Sequence, residues 1–528
     1  MTVRAGAARR PALRLAAMLL VALAAGAANV FAFAPFGLWP LQLLLLALLF
    51  HFLHGTASVQ QGAALGLAYG WGWAAAGVHW LYVSMHHYGG MPSWMAALAV
   101  ALLAVWLGLF AALAAGATTW LRRRWNLSAT LTLLLVAPAL WALGEWLRGW
   151  IFTGFPWLVS GYAHNESPLA GFAPLVGVYG IGWLAALAAG ALALLPRHRM
   201  PVLLLLPVLL AAGWGLQTVS WTGKHGEAIA VRLLQGNVPQ DMKFERERIA
   251  TTLAEYEFMI RQQPADLIAT PETALPLLSH QLPEDYLARL GAFARQSGSH
   301  IVVGLPMSDG PGRYANSVLG LAPAGTPDAQ GTAYRYDKHH LVPFGEFIPP
   351  GFRWFVDMMH IPLGDFTRGA PLQAPFQVKD QWILPNICYE DLFGEEIADQ
   401  LAAGHFGEIP QTSVLLNVSN IAWFGDTIAL PQHLQISQMR ALETGRPMLR
   451  ATNTGATAVI DHKGRVTAQL PPFQQGVLAA TVQGYIGATP YILLGNGPAV
   501  LLALLALAIA RFLHWKKAGK QPETGKNR

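Results

Sequence analysis

Three polar residues in the second half of the chain have the types and positions that acyl-transfer chemistry requires. Glu272 follows the apolar run 266–270, Cys388 follows the apolar run 381–387, and Lys338 lies in a segment punctuated by Gly and Pro. Side chains just beyond strand ends are held by rigid backbone and have open space beside them. These residues are therefore candidates for a catalytic site.

A cysteine thiol has a pKa of about 8.5, so little thiolate exists at neutral pH. A carboxylate within reach, such as Glu272, can take the proton as the Cys388 sulfur attacks. A fixed cation such as Lys338 lowers the thiol pKa and stabilises the oxyanion of a tetrahedral intermediate, with the backbone N–H of Tyr389 as a second donor. The trio predicts a covalent acyl-enzyme mechanism.

Each residue taken alone also has a simpler interpretation. Glu272 fits a solvated loop carboxylate, Lys338 a surface lysine, and the single cysteine, Cys388, a small buried apolar side chain. The adjacent histidines 86–87 and 339–340 do not stand at metal-ligand spacing, so we expect no metal and no cofactor.

The acidic residues divide the chain into parts of different composition. Of 29 Asp and Glu residues, only Glu145 and Glu166 precede residue 222, whereas the range 222–489 holds 26. Only 12% of all residues are charged, about half the usual fraction. The formal net charge of +6 comes from short Lys and Arg clusters between apolar runs, which argues against nucleic-acid binding.

The apolar runs predict a polytopic α-helical membrane bundle, because about 20 apolar residues cross a bilayer. Glu145 and Arg148, at the end of the fifth run, are three residues apart and could pair. The eight candidate spans are 12–32, 37–53, 62–82, 94–121, 127–147, 168–195, 201–221 and 490–513.

Basic residues stand before the first span and after the fourth, sixth and eighth, as the positive-inside rule requires. This pattern predicts cytoplasmic termini and an external domain. A signal peptide remains an alternative for the first span, since small residues follow its apolar stretch at 25–27. The expected domains are 1–221 with seven spans, 222–489, span eight at 490–513, and a tail at 514–528.

The range 222–489 predicts a layered α/β domain, because short apolar runs bounded by Gly, Pro and Asn alternate with helical stretches. The longest predicted helix covers 244–262. The predicted strands are 228–234, 266–270, 300–305, 317–321, 381–387, 413–418, 447–451 and 457–460.

Four long strings carry a family resemblance: YDKHHLVPFGEFIP, ICYED, NVSNIAWFG and QHLQISQMRALETGRPMLRATNTG. They resemble the Glu–Lys–Cys site of the nitrilase (carbon–nitrogen hydrolase) superfamily. With its spans, the whole chain resembles the bacterial apolipoprotein N-acyltransferases. The resemblance implies an αββα sandwich in 222–489, with Glu272, Lys338 and Cys388 as the catalytic trio and Glu346, Tyr389 and Glu390 as support.

The resemblance further implies a two-step acyl transfer in the bacterial inner membrane. Cys388 would take an acyl chain from a membrane phospholipid as a thioester. The α-amine of the diacylglyceryl-cysteine of an apolipoprotein would then accept it. The resemblance places the catalytic domain in the periplasm, and we expect a monomer.

Two alternatives remain, one an enzyme that uses the same trio and one that is not an enzyme. A membrane-tethered amidase would pass the acyl group to water, but it needs at most one anchor. A transporter or scaffold would carry charged residues at mid-span, and the spans show almost none.

Two apolar stretches, 344–350 and 352–362, are candidates for a membrane-facing rim, in which Phe355 and Met358 would contact lipid.

Overall fold

The computed structural model describes residues 3–240, 246–323, 334–349, 351–353 and 365–518. The candidate rim residues Phe355 and Met358 lie outside these ranges. The chain divides into two compact units. The first comprises Met1–His79, Ala97–Val219 and Asn496–Arg528, and the second comprises Trp80–Ala96 and Ser220–Gly495.

The first unit is helical, as the long apolar runs require. Each of the eight expected spans contains a helix, but the last begins later than expected. A short helix, Pro490–Leu494, ends at Gly495, which has a φ of 53°, before the long final helix starts. The helices are Val3–Ala28, Trp39–His54, Val59–Gly77, Ser93–Arg124, Ala137–Arg148, Ala173–Ala193, Met200–Leu216 and Gly497–Ala518.

Among the described residues, five helices are long and apolar enough to cross a membrane. They are Ala12–Ala32, Ser93–Arg124, Ala129–Arg148, Pro168–Ala193 and Gly497–Lys516. Trp39–His54 and Val202–Leu216 are apolar but shorter. The count of eight spans therefore stays a prediction.

Small residues allow the first and third helices to pack closely. A Cβ on Gly26 would lie 1.9 Å from the Tyr69 carbonyl oxygen, and one on Gly72 would lie 2.2 Å from that of Leu23. A larger residue at either position would force the two helices apart. Small residues at such close contacts are typical of membrane helix pairs.

Glu145 and Arg148 interact electrostatically, as expected, while the carboxylate takes its hydrogen bonds from another residue. Glu145 Oε1 accepts hydrogen bonds from the backbone N–H of Ser160 at 2.9 Å and from its hydroxyl at 2.7 Å. The Arg148 guanidinium instead lies over the Trp73 ring, 6.0 Å from its centroid. The carboxylate therefore fixes the chain after its own helix, and its charge also acts on the arginine.

The second unit contains two six-stranded sheets, numbered here along the chain. Strands β1–β6 are Gly223–Gln235, Leu267–Ala269, His300–Ser308, Tyr314–Leu321, Tyr334–Asp337 and Phe376–Val378. Strands β7–β12 are Gln381–Ile387, Val414–Ser419, Met448–Thr452, Ala458–Ile460, Val466–Gln469 and Gly476–Ile486. The sheet orders are β12-β1-β2-β3-β4-β5 and β11-β10-β9-β8-β7-β6.

Each sheet has a parallel centre and antiparallel edges. Strands β1, β2 and β3 are parallel in one sheet, and β7, β8 and β9 are parallel in the other. Parallel strands are buried on both faces, which explains why their sequences are mainly apolar.

One apolar core lies between the sheets, and further cores lie under the helices outside each. The inter-sheet core includes Leu233 and Val302 from one sheet and Leu416 and Leu449 from the other. The outer helices are Arg246–Arg261, Tyr286–Ser297, Gly394–His405 and Ala429–Thr444. The domain is the expected αββα sandwich.

The eight predicted strands are present, but the structure adds four: β5, β6, β11 and β12. The longest, β12, pairs antiparallel with β1 from Gly223↔Ile486 to Gln235↔Gly476. Its exposed and buried positions do not alternate cleanly, since it lies at a sheet edge, so its sequence lacks the signal of a half-buried strand.

Candidate active site

The predicted trio stands at the ends of three strands drawn from both sheets. Glu272 lies three residues after β2, Lys338 directly follows β5, and Cys388 directly follows β7. Strand ends on two packed sheets converge without any loop having to reach across the domain. The fold thus brings together residues that lie 66 and 50 positions apart along the chain.

Lys338 is 1% exposed and lies between two carboxylates. Its Nζ donates to Glu346 Oε1 at 2.9 Å and lies 3.4 Å from Glu272 Oε1. Burial by itself lowers the pKa of Lys338, but Glu346, Glu272 and the Cys388 sulfur raise it by more, so the net pKa is raised. Lys338 is therefore a fixed cation and not a proton carrier at neutral pH.

Asn316, on β4, links the two carboxylates. Its Nδ2 donates to Glu272 Oε1 at 2.7 Å and to Glu346 Oε1 at 2.8 Å. The second oxygen of each carboxylate is held by backbone: Glu272 Oε2 accepts from Asn420 N at 2.8 Å, and Glu346 Oε2 accepts from Val342 N at 2.8 Å. Both side chains are thus fixed through both oxygens.

We expect Asn316→Ala to slow acylation of Cys388 by about 10- to 100-fold. Removing one donor shared by two buried carboxylates costs about 1–3 kcal/mol, and 1.4 kcal/mol corresponds to tenfold in rate. The measurement is single-turnover acylation of folded protein. Ser317→Ala is the control, because Ser317 bonds Asp337 and not the two glutamates. A rate within twofold of wild type would show that Asn316 does not position the glutamates.

Cys388 adopts a left-handed backbone conformation at the end of its strand, with a φ of 53°. For a residue with a Cβ this conformation costs roughly 1–2 kcal/mol and occurs mostly where the surroundings impose it. The turn begins the short 3-10 helix Cys388–Leu392, which starts where the β7 ladder stops.

The surroundings of the Cys388 thiol keep it protonated. Burial and the Glu272 carboxylate raise the pKa of Cys388 to about 12, although Lys338 acts in the opposite direction. Lys338 does lower the pKa of the Cys388 thiol, as expected, but burial and Glu272 raise it by more. A protonated thiol needs a base during attack, and this requirement fits Glu272.

Glu390 braces the segment that carries Lys338 against the Cys388 turn. Its Oε1 accepts from the backbone N–H groups of His339 at 2.6 Å and His340 at 3.2 Å. Its Oε2 accepts from Ile387 N at 2.6 Å and from the Tyr336 hydroxyl at 3.1 Å. Burial raises the pKa of Glu390 to about 7, against the opposing effect of these donors.

The Tyr389 ring packs against Phe393, with 5.2 Å between the two ring centroids. The structure places all six predicted site residues in or beside one cluster, and their roles stay predictions.

Sequence reasoning missed Asn316, Asn417 and the Asn420 backbone. The signal was available in part, since Asn316 precedes a predicted strand and the other two lie in the string NVSNIAWFG.

Among the described residues, no three His, Cys, Asp or Glu side chains are grouped to hold a metal ion. The cluster itself presents a thiol, a carboxylate and a cation. These groups suit nucleophilic attack on a carbonyl and stabilisation of the resulting oxyanion.

Comparisons with known proteins agree with the geometry. The family described as "Apolipoprotein N-acyltransferase N-terminal domain" matches residues 25–191, and "Carbon-nitrogen hydrolase" matches residues 226–491. An apolipoprotein N-acyltransferase of Ralstonia nicotianae is 51% identical over 505 residues, covering 94% of each chain. The chain belongs to the apolipoprotein N-acyltransferase family. One from Nitrosomonas europaea is 46% identical, covering 93% of this chain and 96% of that one.

Among solved structures, an amidase from Nesterenkonia sp. aligns at 19% identity with a TM-score of 0.34. The alignment covers 51% of this chain and 93% of the amidase. Membership of the apolipoprotein N-acyltransferase family and the five long apolar helices together make the chain a membrane protein.

Proposed function

We propose that this protein transfers an acyl chain from a membrane phospholipid to the α-amine of the N-terminal diacylglyceryl-cysteine of an apolipoprotein. The observation that carries the proposal is the cluster of buried Glu272 and Lys338 with partly buried Cys388, in a chain that matches named apolipoprotein N-acyltransferases over 94% of its length. The name of those relatives supports an apolipoprotein acceptor and a lipid acyl donor. The phospholipid donor and the diacylated state of the acceptor are part of the proposal.

In the first half-reaction, the Cys388 sulfur attacks the carbonyl carbon of a phospholipid ester while Glu272 takes the thiol proton. The Lys338 ammonium and the backbone N–H of Tyr389 stabilise the oxyanion. Collapse of the intermediate breaks the ester C–O bond, and the proton passes from Glu272 to the departing lysophospholipid oxygen. The product is a thioester on Cys388.

In the second half-reaction, the α-amine of the acceptor attacks the thioester carbonyl. Glu272 takes a proton from the amine, and the sulfur leaves and is reprotonated. Glu346 and Asn316 hold Lys338 and Glu272 in place throughout, and Glu390 holds the two backbone segments that carry Lys338 and Cys388. No cofactor takes part.

A transfer assay with purified protein tests this function. With a phospholipid donor and a diacylated lipopeptide carrying a free α-amine, we expect the lipopeptide to gain the mass of one acyl chain. An N-acetylated lipopeptide is the matched control, because it lacks the nucleophile. Acylation of both peptides, or of neither by folded protein, would contradict the proposal. Mass spectrometry provides the readout.

We further propose that the protein is a monomer in the bacterial inner membrane, with eight spans, both termini cytoplasmic and the domain 222–489 in the periplasm. The support is the alternation of basic clusters, such as 122–124 and 516–520, with linkers that carry almost no Lys or Arg.

Reporter fusions check this topology. An alkaline phosphatase fused after residue 300 should be active, because that enzyme folds only outside the cytoplasm. The same reporter should be inactive after Arg124 and after Lys516, which follow basic clusters. A fluorescent protein that matures only in the cytoplasm should give the opposite pattern. Cytoplasmic activity at residue 300 would overturn the orientation.

A further inference from the structure

A second group of buried ionisable residues lies beside the candidate nucleophile, and the proposed reaction does not use it. It consists of Asp391, His433 and Arg450, which are 0%, 2% and 0% exposed. They come from the Cys388–Leu392 turn, the helix Ala429–Thr444 and strand β9. Charged groups so deeply buried are costly unless each is paired and hydrogen-bonded, and these three pair with one another.

The contacts within the group are close and specific. Asp391 Oδ1 lies 2.7 Å from His433 Nε2, and Asp391 Oδ2 accepts from Arg450 Nη1 at 2.9 Å. Arg450 Nη2 lies 3.0 Å from His433 Nδ1. Because a guanidinium can only donate, His433 Nδ1 must accept, and its proton sits on Nε2 facing Asp391. Ser437 bonds both Asp391 and Arg450.

A row of polar side chains connects this group to the Cys388 backbone. Asn386, Asn417 and Arg450 are register partners across the parallel strands β7, β8 and β9, where most neighbours are apolar. Asn417 Nδ2 donates to Asn386 Oδ1 at 2.7 Å and to the Cys388 carbonyl at 3.1 Å. Polar residues that break an apolar strand pattern mark sites where function overrides packing.

The group therefore constrains the Cys388 turn on both sides. On one side, Asn417 binds the carbonyl of Cys388, and His433 lies within hydrogen-bonding distance of the same carbonyl. On the other side, Asp391, three residues later, is anchored to His433 and Arg450. Cys388 itself has a left-handed φ of 53°, which is costly for a residue with a Cβ and fits a turn held on both sides.

We propose that Asp391, His433 and Arg450, acting with Asn417, are positioning residues that hold Cys388 in its left-handed conformation and so aim its sulfur for attack. They do not touch the reacting atoms. The inference rests on the proposed role of Cys388 as nucleophile. It predicts that breaking the group slows acylation of folded protein without weakening binding of the acyl donor.

The test uses full-length protein in detergent and a p-nitrophenyl ester, whose burst of p-nitrophenolate reports acylation of the thiol without any lipid substrate. Asp391→Asn keeps the shape of the side chain and removes its charge. We expect a burst about 10- to 100-fold slower, since displacing a reacting group by about 1 Å costs up to a hundredfold. The ester concentration giving half the maximal rate should not change.

Glu443→Gln is the matched control. Glu443 is 0% exposed, lies on the same helix as His433, and pairs with Arg440 at 3.1 Å rather than with the Cys388 turn. Both variants should lose thermal stability, but Glu443→Gln should keep a burst rate within about threefold of wild type. Equal slowing in the two variants, or no slowing in Asp391→Asn, would reduce the group to a structural role and overturn the proposal.

Ser437→Ala keeps the proposal testable if Asp391→Asn does not fold. It removes one hydroxyl that bonds Asp391 and Arg450, and we expect a burst about three- to tenfold slower. An unchanged burst in this variant would also overturn the proposal. Cys388→Ala tests the proposed nucleophile separately from the positioning residues. A burst that survives this substitution counts against Cys388 as the nucleophile, whatever the other variants do.

Discussion

Replacing Cys388 by Ala should abolish acyl transfer, with a loss of at least about a thousandfold, while most of the protein still folds. No other residue can replace the attacking sulfur, because the chain has a single cysteine. Removing the nucleophile of an enzyme that works through a covalent intermediate removes nearly all of its rate advantage. Cys388 is only partly buried, so the truncation leaves a small cavity and costs little stability.

The measurement is transfer to a diacylated lipopeptide, with thermal unfolding of the same samples as the control for folding. Thiol labelling gives a second check, because Cys388→Ala must remove all of it. Glu272→Gln and Lys338→Ala should be nearly as damaging, since residues that act as a unit are strongly non-additive. If Cys388→Ala kept a tenth of the activity, Cys388 would not be the nucleophile.

The second large effect concerns what happens to the acyl group when no acceptor is present. A transferase must keep water away from its thioester, whereas an amidase must place a water beside it. With phospholipid alone, the protein should therefore release about one lysophospholipid per chain and then stop. The acyl group should remain on Cys388 and be released by hydroxylamine, as a thioester is.

Adding a diacylated lipopeptide with a free α-amine should discharge the acyl-enzyme, giving ping-pong kinetics. Intact-protein mass spectrometry follows the adduct on Cys388, and lysophospholipid release follows turnover. The Asn316→Ala variant is a useful comparison, since it should slow loading of Cys388 without changing the final stoichiometry. Continuous release of free fatty acid without acceptor would instead identify a hydrolase and end the transferase proposal.

Much of the architecture is readable from the sequence, because composition and periodicity report directly on burial. The sharp rise in acidic residues after residue 222 separates the apolar helices from the α/β domain. The buried parallel strands β2 and β3 appear as mainly apolar runs because both of their faces are covered. Edge strands such as β11 and β12 escape notice because they lack that continuous burial.

The candidate trio was likewise predictable, because Lys338 and Cys388 stand in long strings that resemble a known family and Glu272 follows a predicted strand. The sequence by itself determined the fold class, the apolar helices and the candidate residues for acyl transfer. Strand ends and turns can be predicted because the residues that form them are neighbours in the sequence.

Only the tertiary structure decided how these residues act on one another. Asn316 bridges Glu272 and Glu346 because strand pairing sets it between them, and no spacing in the sequence encodes that meeting. The Cys388 thiol is protonated because burial and the Glu272 carboxylate raise its pKa by more than Lys338 lowers it. The size of each effect depends on distances that only the folded chain sets. The Asp391–His433–Arg450 group joins a turn, a helix and a strand, so it exists only once the second sheet is assembled.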